Sequence, residues 1–203
     1  MPGIGAMTRV ARELRQDLRA AQDRDPAARG LARVEILLTY GGVHALLAHR
    51  VAHVLHEAGV PLLPRAIAYV ARMLTGVEIH PGARIGEGLF IDHGTGVVIG
   101  ETSVIGQHVK LYQGVSLVAR SLAGGQQLKG IKRHPTLEDN VTVYAGTTVI
   151  GGETVVGAGS TIGANVFLTH SVPPRSLVVY EENSLRILNK DKRPEEWVQD
   201  WVI

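Results

Sequence analysis

A six-residue period in the second half of the chain constrains the fold more than any other feature. Aliphatic residues fall at Ile79, Ile85 and Ile91, then at Ile99, Ile105, Leu111 and Leu117. They resume at Leu137, Val143 and Val149, and again at Val156, Ile162 and Leu168. Within each group the step is six, and glycine follows directly at 86, 100, 106, 157 and 163. Neither the helical period of about 3.6 nor the strand period of two gives this spacing; it is the hexapeptide repeat of a parallel β-helix. Each hexapeptide supplies one short strand and a corner, and three make a triangular coil. The aliphatic points inward onto its equivalent in the next coil, about 4.8 Å away. The 24 glycines and an aromatic content of only 4% suit such an interior of stacked aliphatics and tight corners.

The interruptions of the period are equally informative. Between Ile91 and Ile99 the step is eight, so two extra residues bulge out within Asp92–Gly96. Between Leu117 and Leu137 it is twenty, which leaves a polar, Gly-rich excursion from Val118 to Thr136. A one-residue slip separates Val149 from Val156. A solenoid accommodates insertions outside its stacked faces, and loops on a rigid scaffold carry function. Each of the two larger interruptions contains a histidine, His93 and His134, and chemistry is expected there.

Residues 1–76 read as helical. Met7, Val10, Ala11, Leu14, Leu18 and Ala21 form one apolar stripe, which Asp25–Pro26 terminates. A second run covers about Ala32 to His56, with a break at Gly41–Gly42 and a stop at Gly59-Val60-Pro61; a third covers about Leu63 to Leu74. His44, His49, His53 and His56 lie in the second run. They read as packing histidines rather than metal ligands, because no carboxylate or cysteine completes a set at ligand spacing. The expected organisation is α+β: an N-terminal helical domain (1–76), a β-helix (77–176) and an extended C-terminal tail (177–203) that ends Trp201-Val202-Ile203. A net charge of +2 without a basic stripe speaks against nucleic-acid binding. The absence of cysteine removes disulfides, thiolate metal sites and a cysteine nucleophile. No apolar run reaches the ~18 residues of a membrane span, and Glu13 and Asp17 interrupt the basic N-terminus, so a cytoplasmic protein with no membrane association is expected.

Four segments resemble the serine acetyltransferases among the hexapeptide-repeat acyltransferases. They are Arg24-Asp25-Pro26-Ala27; Glu78-Ile79-His80-Pro81; Ile91-Asp92-His93-Gly94-Thr95-Gly96 with Val98-Ile99-Gly100-Glu101-Thr102; and Lys132-Arg133-His134-Pro135. The resemblance covers about residues 24–176 and implies a left-handed winding of the β-helix, an exception to the usual right-handed crossover. It implies His93 as general base, a carboxylate at Glu78 as its partner, and Asp25, Asp92, Arg133 and His134 lining a serine pocket, His134 also counting as catalytic. Ala145 and Ala164 are expected where backbone meets the pantetheine arm of acetyl-CoA, a co-substrate rather than a permanently bound cofactor. The resemblance further implies a homotrimer or a dimer of trimers, with active sites between neighbouring prisms. L-Cysteine is the implied feedback inhibitor, and a tail ending in Ile203 is implied to bind O-acetylserine sulfhydrylase. Two departures stand out: Glu78 where the family usually has Asp, and Val118 where it usually has Gly. Lys129 and Lys132 are open between a solvated loop and contacts to CoA phosphates.

The chemistry makes sense apart from the resemblance. Acetyl transfer to an alcohol needs a base of near-neutral pKa, a group to orient it, and donors for the oxyanion. Glu78 lies fifteen residues before His93, three short of an eighteen-residue coil, which places the two about one rung apart. Without cysteine or a Gly-x-Ser-x-Gly elbow, direct attack in a ternary complex is favoured over an acyl-enzyme. Asp25, Asp92 and Arg133 offer both signs of charge to a zwitterionic amino acid. A hexapeptide acetyltransferase for sugars would have no use for Arg24–Ala27 or Arg133-His134-Pro135, and a zinc-dependent hydratase would need three converging histidines. A non-catalytic trimeric scaffold that recruits the sulfhydrylase is separated from the enzyme by assaying turnover.

Overall fold

The helices break where the backbone must. In the computed structural model, which describes residues 4–28, 33–120, 127 and 130–180, helix α1 (Ile4–Arg24) runs into a 3-10 turn at Pro26–Ala28. Pro26 removes an amide donor and pushes Asp25 away from helical geometry. The expected second run is split into α2 (Arg33–Thr39) and α3 (Gly41–Glu57) by Tyr40, whose backbone is extended at φ −93° and ψ 105°. Helix α4 (Leu63–Thr75) follows and ends on Gly76 in left-handed geometry. None of these helices is long and apolar enough to cross a membrane.

Beyond α4 three parallel sheets enclose a triangular prism, consistent with a left-handed β-helix. The first face stacks β1 (Glu78–Ile79), β4 (Val98–Ile99), β7 (Ser116–Val118), β10 (Thr148–Ile150) and β13 (Phe167–Leu168). A second face holds β2 (Arg84–Ile85), β5 (Val104–Ile105), β8 (Thr136–Leu137) and β11 (Val155–Val156). The third holds β3 (Phe90–Ile91), β6 (Lys110–Leu111), β9 (Thr142–Val143), β12 (Thr161–Ile162) and β14 (Leu177–Val178). The aliphatic column anticipated from the sequence is the interior: Ile79, Ile99, Leu117 and Val149 face inward and are buried, as are their counterparts on the other faces.

The ladder absorbs every phase break at a corner. Val98 pairs with Ser116 eighteen residues on, whereas Glu78 pairs with Val98 after twenty and Val104 with Thr136 after thirty-two. Val118 lies in β7 opposite Ile150, an ordinary strand position. Strand β14 lies past Pro174, where the sequence repeat has ended. A shortened coil brings Leu177 onto Thr161, and the Ser160 hydroxyl ties it by donating to Pro173 O at 2.9 Å and accepting from Ser176 N–H at 3.0 Å.

The helical region is fixed to the third face. Phe90 turns outward there yet is only 2% exposed, because Ala20, Ala21, Ala28, Ile36 and Val43 close over it. Gly42 permits this approach, since a Cβ would run into the Ile91 carbonyl. Alongside, Arg50 of α3 is buried against Asp17 of α1 (Nε to Oδ2, 3.2 Å), and its guanidinium also donates to the Ile85 and Gly86 carbonyls. Burial raises the Asp17 carboxyl, and the Arg50 charge works against that rise. Truncating one partner of such a buried pair typically costs about 3–5 kcal/mol, because the other charge is stranded. Two histidines of α3 lie near the same junction: His49 is buried, and His53 Nδ1 lies 2.7 Å from the Pro81 carbonyl.

Candidate active site

Most of the candidate site residues fall on two edges of the prism. At the edge between the third and first faces, the corner residues Thr95, Gln113, Ala145 and Ala164 form a column. It is linked by the bonds Gly114 N–H to Thr95 O (3.0 Å), Gly146 N–H to Gln113 O (2.9 Å) and Asn165 N–H to Ala145 O (2.8 Å). His93 and Gly94 are the two extra residues of the first coil, at the foot of that column. His93 adopts φ +59°, a left-handed conformation uncommon for a side chain with a Cβ. Its side chain is 73% exposed, and its Nε2 lies 3.8 Å from Oδ1 of Asp92.

Carboxylates gather at this acidic edge. The turn after α1 places Asp25 so that Oδ1 accepts the Ala27 N–H at 2.8 Å and Oδ2 accepts the Tyr40 hydroxyl at 2.7 Å. Arg24 anchors the end of the helix by donating to the His108 carbonyl at 2.6 Å. The Tyr40 phenol is pushed up to about 12, first by burial and then by its bond to Asp25, with the Asp25, Asp92 and Glu35 charges adding. It therefore stays protonated and remains a donor. Asp92 is met at 3.2 Å by Nζ of Lys110, which also lies 4.5 Å above the Tyr112 ring. Burial pulls the Lys110 ammonium down, but its hydrogen bonds to Tyr112 and Asp92 outweigh this and raise it.

The edge between the first and second faces carries the opposite charge. Thr102 is its hub: Oγ1 accepts the amides of Arg133 (2.9 Å) and His134 (3.0 Å) and donates to His134 Nδ1 (2.9 Å). The Thr102 N–H donates to the same Nδ1 at 3.1 Å. An Nδ1 that only accepts assigns the ring proton to Nε2. Burial, then the Arg133 charge, lowers His134 to about 4, so the ring is neutral near pH 7. Gly100 makes the seat, because any side chain there would overlap the imidazole. Arg133 is paired with Glu101, and Lys132 donates to the His134 carbonyl.

The structure thus sorts the residues that the sequence groups into one pocket. Asp25, Asp92, His93, Ala145 and Ala164 lie at the acidic edge; Arg133 and His134 lie at the basic edge, across the first face. Glu78 projects from β1 on that face, where its carboxylate meets Arg72 of α4 at 3.0 Å. The coil holding Glu78 and His93 has twenty residues rather than eighteen, and the carboxylate beside the His93 ring is that of Asp92. Tyr40, Thr102 and Lys110 were not legible as site residues. Lys110 had a signal, since it precedes the inward Leu111, opposite Phe90 in register, and Thr102 ends one of the four segments that carry the resemblance. Lys129 and Ile203 lie outside the described residues, as do all the residues from 181 onward.

A parallel prism of hexapeptide coils, with a histidine at a bulged corner and a second at a long insertion, defines the hexapeptide acyltransferase class. Comparison narrows this further. No family model matches the chain. Serine acetyltransferase of Synechococcus elongatus is 54% identical over 81 residues, 40% of this chain and 32% of that protein, so the match spans about a third of the relative's length. The structure of Entamoeba histolytica serine acetyltransferase isoform 3 in complex with cysteine superposes with a TM-score of 0.82 at 37% identity, over 97% of this chain and 66% of that one. Neisseria gonorrhoeae serine acetyltransferase in complex with serine gives 0.79 at 34% identity, over 88% and 70%. The chain belongs to the serine acetyltransferase family.

Proposed function

We propose that this protein is a serine O-acetyltransferase, moving the acetyl group of acetyl-CoA to the hydroxyl of L-serine, and that it works as a trimer. One observation carries the reading: the two half-sites occupy different edges of one prism, acidic around His93 and basic around His134. A closed cyclic assembly joins unlike surfaces of neighbouring copies, so the acidic edge of one chain would face the basic edge of the next. In such a site Asp25 and Asp92 meet the substrate ammonium, and Arg133 grips its carboxylate in the two-pronged way its guanidinium favours. His93 takes the hydroxyl proton as the oxygen attacks the thioester carbonyl. His134, held neutral with its proton on Nε2, donates to the developing oxyanion. Collapse forms the ester, breaks the C–S bond and returns the proton to the departing CoA thiolate.

Glu78, on leaving Arg72, orients the His93 ring. Ala145 and Ala164, small residues on the edge above His93, leave room for the pantetheine arm. A left-handed winding, the division into 1–76, 77–176 and 177–203, and L-cysteine binding in the serine pocket belong to the same reading. So do the pairing of trimers and the capture of Ile203 by O-acetylserine sulfhydrylase. The serine and cysteine held by the Neisseria and Entamoeba relatives support it. The test mixes acetyl-CoA with a panel of hydroxy amino acids and sugars and follows free CoA thiol. L-Serine should turn over at least ~100-fold faster than any sugar, which corresponds to roughly 2.7 kcal/mol of discrimination. Turnover with a sugar alone, or with nothing, would sink the proposal.

A further inference from the structure

We infer that Tyr40 and Lys110 are positioning residues of the acceptor pocket: Tyr40 fixes the Asp25 carboxylate, and Lys110 fixes that of Asp92. The inference rests on the serine-acetylating reading above. An aspartate at a turn is free to rotate about two bonds, and a pocket for a small zwitterion loses affinity if its carboxylates must be ordered on binding. Here both oxygens of Asp25 are already engaged, by the Ala27 amide and the Tyr40 hydroxyl. Each oxygen keeps a lone pair for a ligand. Tyr40 is itself held: its carbonyl accepts the Val43 and His44 amides at the start of α3, and its side chain packs against the small core that contains Phe90.

Lys110 is restrained in the same manner. Its Nζ lies over the rings of Phe90 (4.9 Å) and Tyr112 (4.5 Å), and Tyr112 stacks on Tyr144 at 4.8 Å. Its ion pair with Asp92 has side-chain exposures of only 15% and 16%, so solvent screens it weakly. Asp25 and Asp92 both act on the Tyr40 phenol, which places them in one electrostatic neighbourhood. With Lys110 paired to Asp92, the Asp25 carboxylate is the one whose charge is left to meet the substrate ammonium group.

The experiment compares Tyr40→Phe, Lys110→Met and Lys110→Arg with the wild-type chain. Tyr40→Phe should raise the KM for L-serine about tenfold, the ~1.4 kcal/mol of one charge-assisted hydrogen bond, and leave kcat and the acetyl-CoA KM within about threefold. Lys110→Met should likewise raise the serine KM several-fold and leave kcat and the acetyl-CoA KM within about threefold, because the Asp92 carboxylate is then no longer held. Lys110→Arg should bring the serine KM back toward the wild-type value. A merely structural role would shift Tm and both KM values together; that outcome overturns the inference, as does an unchanged serine KM. Calorimetric titration of L-serine without acetyl-CoA separates the two proposals. Wild-type binding without turnover, weakened in the variants, sinks the acetyltransferase reading and keeps the positioning roles. A wild type that neither binds nor acetylates serine overturns both.

Discussion

The two functional edges are made from the same hexapeptide, yet they treat their histidines in opposite ways. His93 sits on a two-residue bulge, exposed, with the Asp92 carboxylate 3.8 Å from its Nε2. His134 sits at the end of a long insertion, buried, pinned at Nδ1 by Thr102 and lowered to about 4 by burial and Arg133. A general base must be reachable and able to accept a proton, whereas a donor to an oxyanion must keep its proton fixed in place. Exposure beside carboxylates suits the first task, and burial beside a guanidinium suits the second. One prism places the two environments a full face apart, and in the trimer proposed above neighbouring copies would bring them together.

The sharpest way to break this comparison is to disable one edge at a time. His93→Ala should lower kcat by ~10²–10⁴ with the fold retained, the range for loss of a positioned base. Mixing His93→Ala chains with Arg133→Ala chains before assembly should then recover about a quarter of wild-type activity at serine well below its KM, where Arg133→Ala chains alone keep about a tenth. Each shared site draws one edge from each neighbour, and half of the chains carry each intact edge. A mixture no more active than its components would show that the edges of separate chains do not combine.

Arg133→Ala tests the basic edge by itself. The serine KM should rise by about tenfold or more, and inhibition by L-cysteine should weaken in parallel, since one guanidinium would hold the carboxylate of both amino acids. Arg133→Lys should restore only part of the affinity, because an ammonium keeps the charge and loses the fork. Unchanged constants for both ligands would place Arg133 outside the pocket.

The prism was legible in the sequence because its period is dictated by the interior: each inward Ile, Leu or Val must stack on the next, whatever the corners do. The separation of the edges was legible too, by counting. Ile91 closes a third-face strand, so His93 opens a third-to-first corner, while His134 precedes Leu137 of the second face. Other features left no trace of this kind. Asp17 falls on the apolar stripe with Val10, Leu14 and Ala21, a position where a charge signals a buried partner, but nothing in the chain names Arg50. Tyr40 lies just before the expected break at Gly41–Gly42 and carries no signal of its own, and its link to Asp25 exists only once the helices have closed over Phe90. Strand β14 was hidden because Pro173-Pro174 ends the period and shortens the coil.

The smallest expected effect concerns stability rather than turnover, and it again separates the edges. An unfolded histidine has a pKa of about 6.5, and in the folded chain His134 is lowered to about 4, by burial and then by Arg133. His80, beside the same edge, is lowered to about 4 by burial and then by Arg65. Between these values the unfolded chain binds more protons than the folded one, so stability falls as the pH falls. The contribution is complete above about pH 6.5 and is lost progressively down to about 4. Its slope should stay well under the ~2.7 kcal/mol per pH unit allowed for two protons, because neither residue is wholly buried and solvent screens the rings. Urea midpoints measured from pH 7 to 4.5 should therefore decline, and His134→Gln should flatten the decline while lowering the midpoint at pH 7, where the Thr102 hub loses its acceptor. A midpoint that held steady or rose toward pH 4.5, or a variant with an unchanged slope, would show that the buried histidine of the basic edge accepts its proton as easily as a free one.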